Sequence, residues 1–63
     1  MPKTEIEVQL TGEDGNVFNI LGRVSKALKR GGHADLAEKF WKEATTGDYD
    51  HVIQTAMEYV EVT

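Results

Sequence analysis

Two histidines, two aspartates spaced one residue apart and a turn bracketed by glycines are the groups in this chain whose types invite a chemical reading. His33 and His51 are ordinary metal ligands. Asp48 and Asp50 are hard oxygen donors of the kind calcium takes. Gly12-Glu13-Asp14-Gly15-Asn16 joins an alternating segment to an amphipathic one, the position at which a phosphate is cradled in other folds. Each set lacks its complement. The histidines fall in different segments, and Asp48-x-Asp50 has neither the further ligands nor the glycine of a calcium loop. With no cysteine there is no thiolate cage. The turn has no Gly-x-Gly-x-x-Gly and no Lys-Ser or Lys-Thr after its glycine, and Glu13 and Asp14 would repel a phosphate. A chain of 63 residues scarcely encloses a water-poor pocket around a tuned acid and base. The expectation is therefore a protein that is not an enzyme and takes no cofactor, metal or small-molecule substrate.

What remains is charge placement. The net charge is −4, yet residues 16–32 hold four bases, Arg23, Lys26, Lys29 and Arg30, and no acid, while acids dominate residues 1–15 and 47–63. A basic face on an acidic body orients an anionic partner. It also serves, more blandly, to neutralise Glu5, Glu7, Glu58 and Glu61 or to stay solvated. Both readings stand on the sequence alone.

The elements that position these groups follow from periodicity. Glu5 to Thr11 alternates, with Ile6, Val8 and Leu10 on one face and Glu5, Glu7, Gln9 and Thr11 on the other, which predicts a half-buried strand. Asn16 is a helix cap, and Val17, Ile20, Leu21, Val24, Ala27 and Leu28 form one apolar stripe, so a helix is placed at 16–30, ended by Gly31-Gly32. A second helix is placed from Ala34 to Thr46 with Leu36, Ala37, Phe40, Trp41 and Ala44 inward. Asp35 with Lys39 and Glu38 with Lys42 are acid-to-base pairs on its outside. His33 lies at its entrance. After Gly47, Asp48 caps a third helix whose stripe is read as Tyr49, Val52, Ile53, Ala56, Met57 and Val60, with His51 opposite and solvent-exposed. The tail from Tyr59 to Thr63 alternates again and is rich in β-formers. A lone strand leaves its backbone unsatisfied. Residues 5–11 therefore require a second strand, supplied by this tail or by the same strand of another copy.

Gly22 sits outside the apolar stripe of the first helix, where a glycine costs about 1 kcal/mol relative to alanine. Two explanations compete: it packs under the strand or the tail, or it belongs to a contact surface with Phe18, Lys26 and Lys29. Trp41 points about 100° from Phe40. It is either a core side chain or an interface anchor at the edge of its stripe. The candidate interaction surface is accordingly Phe18, Gly22, Arg23, Lys26, Lys29, Arg30 and Trp41.

The runs VQLTGEDGNVFNILGRVSKALKRGG and GDYDHVIQTAMEYVEV, from about Val8 to Val62, resemble a group of short uncharacterised proteins encoded by bacteria, phages and prophages. The turn Gly12 to Asn16, Leu21-Gly22-Arg23-Val24-Ser25 with Ala27-Leu28, and Gly47-Asp48-Tyr49-Asp50-His51 carry the resemblance. It implies a bacterial or phage cytoplasm and a compact accessory protein, and no mechanism. The first thirty residues hold no apolar run of signal-peptide or membrane length, which also points to a cytoplasmic protein.

These features predict one small α+β domain over residues 1–63, ordered β-α-α-α-β, with the C-terminal strand paired to the first and the helices on one side of the ribbon. The expected function is a non-catalytic interaction module that binds a protein partner, or itself as a homodimer, through the basic helix or the acidic strand face. The alternative is a weak nucleic-acid accessory using the same basic helix. The third helix, with Asp48, Asp50 and Glu58, is unsuited to reading bases.

Overall fold

The computed structural model describes residues 2–10 and 16–63. Its order is β1 (Glu7–Val8), α1 (Val17–Arg30), α2 (Ala34–Ala44), α3 (Tyr49–Tyr59) and β2 (Glu61–Val62). The Gly12–Gly15 turn lies outside the described residues.

Three helices separate the strands, and β2 returns parallel to β1 with Glu7 opposite Glu61 and Val8 opposite Val62. The ladder is shorter than residues 5–11, but backbone bonding extends beyond it. Glu61 N donates to Ile6 O at 2.8 Å, Thr63 N to Val8 O at 3.0 Å and Leu10 N to Thr63 O at 3.0 Å. The tail of the same chain thus supplies the second strand. Val8 is buried, Ile6 and Leu10 half-buried, and Glu5, Glu7 and Gln9 exposed, so the helices cover one face and the acids line the other.

Below the ladder, the N-terminal segment caps α3. Lys3 N donates to Glu58 O at 2.8 Å, and Thr4 N to Tyr59 O at 3.1 Å. The Thr4 hydroxyl, itself buried, adds a 2.7 Å bond to Tyr59 O. Carbonyls that a helix end leaves without partners are satisfied by the incoming strand.

Each helix has a local reason for its bounds. Asn16 Oδ1 accepts from Phe18 N and starts α1. At its end His33 N donates to Leu28 O and Gly32 N to Lys29 O, the paired closure of a helix through a left-handed residue. That residue is Gly32, at φ 84°; Gly31 keeps a negative φ. His33 precedes α2 as its cap position without a side-chain bond. α2 ends at Ala44, two residues earlier than its pattern suggests. The hydroxyls of Thr45 and Thr46 bond back to Trp41 O at 2.8 Å and Glu43 O at 2.7 Å, taking carbonyls where the helix stops. Asp48 Oδ1 accepts from His51 N at 3.0 Å and opens α3. On the outside of α2 Glu38 meets Lys42 at 3.6 Å. Asp35 does not reach Lys39 among the described ion pairs; its shorter side chain lies in the first turn, where unpaired amides attract it.

The core is Val8, Ile20, Leu21, Val24, Leu28, Ala37, Phe40, Ala44, Val52, Ala56, Tyr59 and Val60. The stripe of α1 is as its pattern predicts. That of α3 is rotated: Tyr49 and Met57, expected inside, are exposed at 45 % and 56 %, whereas Thr55 and Tyr59 are buried. Thr55 returns its hydroxyl to His51 O at 2.7 Å and Tyr59 donates to Glu43 Oε2 at 2.7 Å. Both polar tips are satisfied, so their bodies can enter the core in place of two fully apolar positions. The Tyr59 ring meets Phe40 edge-on at 5.6 Å, and the Lys3 ammonium lies 4.9 Å from its centroid.

Candidate docking surface

α1 runs beside β1, bringing Gly31 against the Ile6 side chain. Between the two elements lies an open groove of about 640 Å³, walled by Glu7, Val8 and Gln9 on one side and by α1 on the other. Five of the seven surface residues read from the sequence gather there: Phe18, Gly22, Arg23, Lys26 and Arg30. Lys29 and Trp41 do not. They line a separate hollow of about 480 Å³ between α1 and α2, with Ser25, Ala34, Ala37, Glu38 and Lys42. At 100° per residue, Lys29 lies only about 60° round the helix from Lys26, and that turn carries it from the groove to the hollow beside α2.

Phe18 is 72 % exposed at the mouth of the groove, an unusual exposure for a phenylalanine in a small fold. One turn on, Gly22 is exposed, and a Cβ built on it meets, among the described residues and outside the adjoining backbone of its own helix, no atom within 4 Å. It therefore packs under neither the strand nor the tail, which removes the internal explanation for it. Positions 18, 22, 26 and 30 recur every four residues and form one row along the groove. Trp41 is 41 % exposed, at the edge of its stripe rather than in the core.

His51 departs from expectation. Half-buried rather than free in solvent, it packs over Gly47, where an added Cβ would lie 2.7 Å from its Cβ. Its Nε2 is 2.8 Å from Glu43 O, and since a carbonyl only accepts, that nitrogen carries the proton. Thr46 Oγ1 lies 3.2 Å away. The imidazole thus ties the end of α2 to the start of α3. Sequence periodicity missed it because the bond goes to a backbone carbonyl, which no residue type announces. Glu7 and Gln9 as a groove wall were missed for a related reason: strand alternation shows which face is polar, not which edge adjoins a helix.

Among the described residues, no group of three or more His, Asp or Glu side chains comes together as a metal site, and no helix is long and apolar enough to cross a membrane. Burial, then the hydrogen bond to Glu43 and the charges of Glu43 and Glu58, push the phenol of Tyr59 up to about 12. No family model, curated protein or solved structure matches the chain.

Proposed function

We propose that this chain is a non-catalytic interaction module of the cytoplasm of a bacterium or phage-infected cell, belonging with the short accessory proteins it resembles. It engages a protein partner through the groove beside α1. The observation that carries this reading is the row Phe18, Gly22, Lys26 and Arg30: an exposed aromatic ring, a gap and two cations in line along one open groove. An aromatic anchor with flanking charge is the composition of a protein-binding patch. Glu7 on the opposite wall and Glu61, paired with it on β2, disfavour a phosphate backbone over the same area.

The test is a selection of random peptides displayed on phage against the immobilised protein, with a Phe18→Ser/Arg30→Glu double variant as counter-target. Sequences enriched on the native surface and lost on the variant are the expected result. Equal enrichment on both, together with a low-salt DNA gel shift abolished by Lys26→Glu/Arg30→Glu, would overturn the reading in favour of nucleic acid.

A further inference from the structure

The backbone of β1 is used on one side. Ile6 O, Val8 O and Leu10 N bond to β2, so in an extended chain the N–H and C=O of the intervening Glu7 point the other way. That side is the groove. We propose, resting on the docking surface above, that the groove takes an extended acidic segment of another protein, added as a third strand beside Glu7 on the groove edge of β1.

Dimensions support a strand in particular. The row from Phe18 to Arg30 spans about 18 Å of helix, with one member every ~6 Å. Alternate side chains of a strand repeat every ~6.6 Å, so a segment of about seven residues laid along α1 presents one side chain to each member in turn. An apolar residue then meets Phe18, the missing side chain of Gly22 admits the next, and acids meet Lys26 and Arg30. Peptide groups of the segment pair with Glu7, while its outward residues lie beside Glu5 and Glu7 and are best uncharged.

A second copy of β1 does not fit this description. Its Ile6, Val8 and Leu10 are committed to its own core, so only Glu5, Glu7 and Gln9 face outward. Paired edge to edge, those acids meet the acids of the first copy and never reach the bases of α1.

Amide hydrogen exchange of the full chain, with and without a synthetic peptide alternating Thr with Ile, Val, Glu and Glu, tests the proposal. Both residue orders and a scrambled control are included. The expected result is at least tenfold slowing of exchange at the Glu7 amide on saturation, affinity lowered at least tenfold by Lys26→Glu/Arg30→Glu, and loss of binding in Gly22→Leu, whose fold is checked by circular dichroism. Shift changes on α1 without protection of Glu7, from the peptide or from a DNA duplex, would overturn strand addition while leaving the α1 surface in use. Protection of Glu7 that rises with protein concentration alone would overturn it in favour of self-pairing. No response to either peptide order, together with an empty display selection, would remove the docking reading as well.

Discussion

The phenol of Tyr59, the last residue of α3, donates a 2.7 Å hydrogen bond to Oε2 of Glu43 near the end of α2. Glu43 also offers its backbone carbonyl to His51 Nε2 and to the Thr46 hydroxyl. One residue, exposed by its type and position, therefore fastens α3 at both ends.

That bond sets an alkaline limit on stability. With its phenol pushed up to about 12 by burial and by Glu43, folded Tyr59 holds a proton that the unfolded chain releases near pH 10. The folded state then binds more protons than the unfolded one, so stability is complete below that pH and falls as pH rises toward about 12. Urea midpoints measured across this window should decline by an amount equivalent to roughly 2 to 3 kcal/mol at the far end. Tyr59→Phe, less stable at neutral pH by about 1 kcal/mol, should show a flatter decline.

Gly22→Ala and Gly32→Ala should have opposite signs. The first adds a methyl to open space on an exposed helical face and should stabilise by about 1 kcal/mol. The second forces a side chain onto φ 84° and should destabilise by about 1 kcal/mol or more. Thermal unfolding of the two variants against the native chain decides it. A Gly22→Ala variant that lost stability would show an unrecognised internal role for that glycine.

Gly47→Ala should cost about 1 to 3 kcal/mol, because the new methyl lies 2.7 Å from His51 Cβ and Cγ. The cost should shrink when His51 is also changed to Ala. A double-mutant cycle that returned additive effects would mean the ring does not depend on the space above Gly47.

Thr4→Val keeps the shape of the side chain and removes the hydroxyl that bonds Tyr59 O and receives Ile6 N at 3.3 Å. Stability should fall by about 1 kcal/mol, with faster exchange at the Ile6 amide. Unchanged exchange there would place the anchoring of β1 in its ladder alone.

Much of this fold is legible in the residues. The stripe of α1 from Ile20 to Leu28, the caps Asn16 and Asp48, and the pairing of the tail with the first strand all follow from period and cap chemistry. The errors share a physical origin. Tyr49 and Met57 were weighted by hydrophobicity, whereas Tyr59 and Thr55 enter the core because tertiary partners satisfy their hydroxyls. His51 and Thr4 bond to carbonyls distant in sequence, which period counting cannot register. Of the docking surface, the row on α1 was readable from four-residue spacing. Its separation from Lys29 and Trp41 was not, since that depends on which neighbour each flank of the helix adjoins.

Thr4 and Tyr59 bond across 55 positions of sequence. A ribosome delivers all three helices before it delivers β2, so nascent β1 must wait beside a growing helical cluster with its hydrogen-bonding capacity open on both edges. During synthesis this chain is thus a half-made sheet in search of a neighbour, and crowding of nascent copies is the circumstance in which it is most exposed to mispairing.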